Sequence, residues 1–309
     1  MSPAPEFIIA GSAKSGTTAL HFMLDQHPDV FMSPIKETNF FIHGYESTRH
    51  FIGLRGERVL EGQDESDIVD THDKYANLFT NAPQGAIRGE ASPWYLINSE
   101  VPARILAHRP NTKIVIILRD PADVAFANFV HLVRDRAESL RLGQIDRVFD
   151  ESRYAAQDLY PFCDHLSLPK YGRHLPVWLS TFDPANVHLM IYEEFKADRR
   201  GQLSRLFEFL GLSDEVSVDV ERRVNVSGMP RSEALQSFLQ GGKLFKKLIG
   251  MVVPKKPRRK VRAMIEAMNT GKRVGMDATT RARFDEVYRD DVAYVESLLG
   301  RELDVWRQT

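Results

Sequence analysis

The chain has 309 residues, 43% hydrophobic and 27% charged, which is enough apolar material for a sizeable α/β core. Its 41 Lys and Arg against 42 Asp and Glu leave a net charge of -1, so no global field draws it to nucleic acid. The single cysteine, Cys163, excludes an intrachain disulfide framework and a cysteine-rich zinc site.

The opening MSPAPEFIIAG has neither a basic n-region nor the long apolar run of a secretory signal. The apolar runs further on are strand-sized and far below membrane-spanning length. A soluble, cytoplasmic protein is expected.

Phe7 to Ala10 reads as a short strand ending at Gly11. A loop of small residues follows, then a helix over Thr17 to Gln26, with Leu20, Met23 and Leu24 at helical spacing and His27-Pro28 as its stop. Ala86 to Arg88 is a strand candidate, Ser99 to His108 a helix, and Lys113 to Leu118 a buried strand. Ala122 to Arg136 reads as a helix, with Pro121 at its start, where a missing N–H costs nothing. Tyr171 to Ser180 is a further helix and Val187 to Ile191 a further strand. Arg200 to Leu210 and Thr280 to Leu299 are amphipathic helices. Apolar strands alternating with helices predict an α/β fold whose mainly parallel central sheet is flanked by helices. With no internal repeat, one domain over 1–309 is expected. Residues 137–169 read as a polar, irregular, mobile insertion on the substrate side, and 243–262 as a basic segment without Asp or Glu.

The segment Gly11-Ser12-Ala13-Lys14-Ser15-Gly16-Thr17-Thr18 has the parts of a phosphate cradle. Small residues let the backbone approach an anion, and the next helix offers free N–H groups and its dipole. Lys14 adds a charge, while Ser15, Thr17 and Thr18 add hydroxyls. The loop is neither the nucleoside-triphosphatase P-loop nor the dinucleotide fingerprint, because Gly16 precedes Thr17 rather than Lys and the glycine spacing differs. An ordinary strand-to-helix turn with a surface lysine is the bland alternative.

Lys14-Ser15-Gly16-Thr17-Thr18 resembles the phosphosulfate loop of sulfotransferases that use 3'-phosphoadenosine-5'-phosphosulfate (PAPS). Lys36-Glu37-Thr38-Asn39-Phe40-Phe41 resembles the Lys-Glu-x-x-Phe-Phe segment of bacterial and heparan-type members. Gly89 to Pro93, Lys113 to Asp123, Ile191 to Glu194 and Leu299 to Trp306 resemble later segments in the same order.

The resemblance implies a P-loop-like strand-loop-helix that binds PAPS with Lys14, Ser15, Gly16, Thr17 and Thr18. It implies leaving-group stabilisation by Lys14, a general base at Glu37 and support from Lys36. The third-strand segment EASPWYL lacks the histidine base of steroid and phenol sulfotransferases. Arg119 would fork onto the 3'-phosphate, and Tyr192 would touch adenine. Ala127 replaces the family's serine on that phosphate, so Asn128 and Arg273 are the candidates for the lost contact. No metal is expected, and His43, His131 and His165 read as surface or loop residues.

The acceptor is a small molecule or saccharide that the motifs do not specify. The basic segment 243–262 has three readings: a solvated loop, contact with an acidic acceptor, or a peripheral membrane patch. A nucleotide-dependent phosphotransferase and a binding-only form of the sulfotransferase fold are the competing functional readings.

Overall fold

A computed structural model describes residues 4–43, 51–54, 58–59, 69–135, 137–155, 159, 161–221, 232, 269, 271 and 274–307. Arg273 and the basic segment 243–262 lie outside the described residues.

Five parallel strands form the central sheet in the order β2-β5-β1-β6-β7. They are β1 (Phe7–Gly11), β2 (Val30–Met32), β5 (Ile87–Ala91), β6 (Lys113–Leu118) and β7 (Val187–Ile191). A separate antiparallel pair, β3 (Phe51–Ile52) with β4 (Arg58–Val59), lies between β2 and β5 in the chain. β1 is central: Phe7, Ile8 and Ile9 pair with Gly89, Glu90 and Ala91 on one side and with Lys113, Ile114 and Val115 on the other.

The strand period of two divides the core cleanly. Ile8, Ala10, Ile114, Ile116 and Leu118 face one layer. That layer includes α4 (Val101–His108) and α6 (Tyr171–Thr181) through Ile105, Leu175 and Trp178. Phe7, Ile9, Val115 and Ile117 face the other. There Leu20 and Leu24 of α1 (Thr17–Leu24) join Phe195 of α7 (Tyr192–Ala197) and Leu206 of α8 (Arg199–Leu210). Both faces are covered, which is why the strands carry near-continuous apolar runs.

Short elements escaped the periodicity reading. β2 has three residues, too few to show a period, yet it pairs with β5 at the sheet edge. α2 (Phe40–His43) and α3 (His72–Asn77) meet through the stacked rings of Phe40 and Tyr75, 4.2 Å apart. α3 is set by Thr71, whose side chain accepts from the Lys74 amide. α5 (Pro121–Arg134) is set by Asp120, which accepts from the Asp123 amide at 3.2 Å.

The stretch 137–169 differs from the polar, irregular insertion expected. It runs through 3-10 turns at Leu142–Phe149, Glu151–Tyr154 and Pro161–Cys163. Its Leu140, Ile145, Val148 and Leu166 bury against Phe129 of α5 and against Phe284 and Tyr288 of α9 (Ala278–Leu299). Apolar residues spread over successive short turns follow neither the helical nor the strand period, so their burial was invisible to patterning.

Gly89 sits where β5 crosses the Phe7 ring: a Cβ there would lie 2.2 Å from Phe7 Cζ. Gly89→Ala is expected to destabilise the fold by about 1–3 kcal/mol through overpacking, read as a lower urea midpoint. An unchanged midpoint would show that the sheet yields at this crossing.

Candidate active site

β1 ends between β5 and β6, so its chain leaves the sheet at the carboxyl edge, where open parallel sheets present ligand sites. The Ser12 amide donates to the Ile117 carbonyl at 2.7 Å, and the Ser15 amide to Ser12 at 3.3 Å. These bonds curl the loop back over the strand ends. Gly16 then adopts φ 86° as the residue before α1. A Cβ at Gly16 would lie 2.8 Å from Tyr192 Cε2, so both its conformation and its neighbour require glycine. No side chain caps α1, which leaves its first amide groups without a capping side chain. Thr17 is buried and Thr18 half-buried beside them. Ser15 is fully buried, with its hydroxyl on the Ala13 carbonyl at 3.4 Å.

Lys14 is held at φ 62°. Its ammonium forms no hydrogen bond or ion pair with any described residue. The Phe162 ring lies 5.8 Å away. Burial is the main force lowering the Lys14 pKa to about 8; Arg134 and Arg119 add to it, while Asp135 and Glu37 oppose it. A cation in this state gains from any anion brought beside it.

The Glu37 segment is docked on the end of β5. The Ser33 amide donates to Gly89, and the Glu37 amide to Ala91 at 2.9 Å. Glu37 takes φ 63° and Asn39 φ 48°. Beneath this bend Glu90 is fully buried. Glu90 accepts from the hydroxyls of Thr38 (2.5 Å), Tyr75 (2.8 Å) and Ser92 (3.0 Å). Burial raises its pKa, against those three donors. The network fixes Thr38 and leaves Glu37 turned out, with its carboxylate 43% exposed and 2.5 Å from Lys36 Nζ. The Lys36–Glu37 ion pair therefore exists, and Glu37 still couples to Lys14.

Arg119 follows β6. Its Nη1 donates to the Lys14 carbonyl at 3.1 Å and its Nη2 to Asp123 at 2.5 Å, while the buried Nε makes no hydrogen bond and faces Glu193 Oε1 at 3.9 Å. Its guanidinium lies 5.1 Å over the Tyr192 ring, so Arg119 and Tyr192 are brought together with Gly16 and Lys14. Burial works against the Arg119 charge, but Asp123, Tyr192 and Glu193 outweigh it and hold its pKa above the ordinary arginine value. Tyr171 brackets this turn, accepting from the Arg119 amide at 3.2 Å and donating to its carbonyl at 2.7 Å.

Several residues here were missed by sequence reasoning. Glu193 accepts from the Asp120 amide at 3.3 Å and from Trp306 Nε1 at 2.7 Å. Arg281 bonds both Asp120 and the Trp306 carbonyl at 2.7 Å. The C-terminal turn and α9 thus pin the Arg119 corner from a distant part of the chain. Glu193, beside Tyr192, and Trp306, at the end of the Leu299 to Trp306 segment, carried a local signal; Arg281 carried none.

Three expectations are corrected. Asn128 does not face the phosphate loop: it is fully buried, with Nδ2 2.8 Å from the Phe162 carbonyl and 2.8 Å from His165 Nδ1. It points into the 137–169 stretch because that stretch packs on α5. His165, expected as a surface or loop residue, lies in a turn but is fully buried. His131 is 5.6 Å from the Phe162 ring, and burial, with Lys14 adding, lowers its pKa to about 3.

Residues 5–215 match the Sulfotransferase family. Heparan sulfate glucosamine 3-O-sulfotransferase 3A1 of Mus musculus is 28% identical over 213 residues, 67% of this chain and 46% of that protein. Bifunctional heparan sulfate N-deacetylase/N-sulfotransferase 2 of Homo sapiens is 27% identical over 217 residues, 68% of this chain and 22% of that protein. The chain therefore spans less than half the length of these curated relatives. Across the whole fold, a sulfotransferase from Alicyclobacillus acidocaldarius superposes with a TM-score of 0.71 at 26% identity, covering 99% of each chain. The matched region contains the Lys14 loop, the Glu37 bend, Arg119 and Tyr192 on one parallel sheet, and the chain belongs to the sulfotransferase family.

Proposed function

We propose that this protein transfers a sulfuryl group from PAPS to an acceptor hydroxyl. The observation that carries the reading is Lys14, a half-buried lysine whose ammonium has no ion-pair partner among the described residues, beside an uncapped helix start. The Arg119 Nε, which makes no hydrogen bond, and the close approach of Tyr192 to Gly16 also fit a phosphorylated nucleotide. PAPS, when bound, supplies an activated sulfuryl group on a phosphate leaving group.

The amides at the start of α1, with Thr17 and Thr18, bind the 5'-phosphate. Lys14 stabilises charge on the departing oxygen. Arg119 reads the 3'-phosphate, the group that separates PAPS from adenylyl sulfate, and Tyr192 packs on adenine. Glu37 takes the proton of the acceptor hydroxyl, and Lys36 orients that carboxylate. The lost serine contact at Ala127 falls to Arg119, with Arg273 as the further candidate. A saccharide or small-molecule hydroxyl is the acceptor class; the heparan sulfate named for the relatives supports a saccharide.

Lys14→Ala is expected to lower transfer by about 10²–10³-fold, the usual loss for one transition-state donor, measured with radiolabelled PAPS and a panel of saccharide and phenol acceptors. Retention of more than half the activity would remove Lys14 from the mechanism. Glu37→Gln should bind adenosine 3',5'-bisphosphate like wild type in calorimetry, yet turn over at least ~100-fold more slowly. Normal turnover in that variant would assign the base elsewhere. Arg119→Ala should weaken adenosine 3',5'-bisphosphate far more than AMP; equal weakening of both would show that Arg119 does not read the 3'-phosphate.

A further inference from the structure

Among its described residues, the 137–169 stretch approaches Lys14 with the side chain of Phe162. The Phe162 ring lies 5.8 Å from Lys14 Nζ and is wedged edge-on between Trp94, 4.1 Å away, and His131, 5.6 Å away. Its backbone is tied down by Asn128, whose Nδ2 sits 2.8 Å from the Phe162 carbonyl.

That contact fixes the amide, since only its NH2 end can face a carbonyl. The same Nδ2 must then donate to His165 Nδ1 at 2.8 Å, so His165 Nδ1 is an acceptor and Nε2 carries the proton. Nε2 donates to Glu138 Oε2 at 2.7 Å. Glu138 is buried, and its Oε1 accepts from Arg153 (2.6 Å), the Leu140 amide (2.9 Å) and Ser139 (3.1 Å). Burial works against the Glu138 charge, but the bonds from His165, Leu140 and Arg153 prevail and lower its pKa to about 2. Asn128 spends one amide proton on each of its two acceptors, so the chain of bonds has a single direction. Asn128 Oδ1 is left buried without a partner, a cost accepted while both amide protons are in use.

We infer that Phe162 is a positioning residue for Lys14, and that the buried chain Arg153–Glu138–His165–Asn128 holds Phe162 in place. The ring covers one side of the ammonium while leaving it without an ion-pair partner among the described residues. Burial is the largest cause of the lowered Lys14 pKa, which is the effect such a wall would have. The charges acting most on Lys14 are Arg134 and Asp135 at the end of α5, Arg119 after β6, and Glu37, and the titratable His131 of α5 is also coupled to it. None of them belongs to the bonded chain, so it can be broken without altering them. The meaning for catalysis rests on the proposed role of Lys14, but the contact can be read without any nucleotide.

The test is competitive acylation of Lys14 with acetic anhydride across pH, quantified by peptide mass spectrometry on the full-length protein. Wild type should show a midpoint near 8. Removing the wall must raise the midpoint, because the charged form regains water. Phe162→Ala and Asn128→Ala should each move it up by about one unit or more, toward the ordinary lysine value near 10.4. Phe162→Tyr, which keeps the ring, should stay near wild type, and Phe162→Leu should fall between; Leu also serves if the alanine variant does not fold. An unchanged midpoint in folded Phe162→Ala or Phe162→Leu would overturn the positioning role. A shift in a Phe162 variant without one in Asn128→Ala would overturn the bonded chain as its support. Should the protein fail to bind adenosine 3',5'-bisphosphate, these midpoints still decide the inference while the proposed function falls separately.

Discussion

A partly desolvated ammonium among other cations is costly to hold, and Lys14 is one. Arg119 and Arg134 push against its charge, burial pushes harder, and no described carboxylate forms an ion pair with it. The fold bears this cost because the surrounding groups are covalently and topologically committed. The lysine follows the central strand, its loop is bonded to β6, and the next residues open α1 without a cap. Such preorganisation is what electrostatic catalysis needs, since no reorganisation is left to be done when charge develops.

Two carboxylates brace this centre, the fully buried Glu90 and the half-buried Glu193. Glu90 lies under the Glu37 bend and gathers Thr38, Tyr75 and Ser92. Glu193 lies behind Arg119 and gathers the Asp120 amide and Trp306. Each satisfies its lone pairs with donors from separate parts of the chain. Each therefore converts burial of a polar group into a fixed geometry rather than a defect. Removing one partner would strand the carboxylate, which is how distant residues such as Trp306 come to matter to the Arg119 corner.

The sheet was legible because its strands are apolar on both faces: β6 and β7 have the boundaries read from the runs KIVIIL and VHLMI. The Lys14 loop, the Glu37 segment, Arg119 and Tyr192 were legible because each is a local run of residues. What stayed hidden depends on long-range contact. Nothing local tells that Glu90 is a network centre, that Arg281 reaches Asp120, or that Phe162 covers Lys14. Asn128 was misread for the same reason. Its place near Arg119 in sequence suggested a ligand contact, but α5 turns that side chain toward the 137–169 stretch.

The central claim is that the Lys14 centre is built for a nucleotide carrying a 3'-phosphate rather than for a triphosphate with magnesium. Thermal unfolding of the wild-type protein with adenosine 3',5'-bisphosphate or with magnesium-ATP tests it most directly, because a ligand that binds only the folded state raises the midpoint with its concentration. The account predicts a concentration-dependent rise with adenosine 3',5'-bisphosphate and little or none with magnesium-ATP. A rise with magnesium-ATP alone would contradict it.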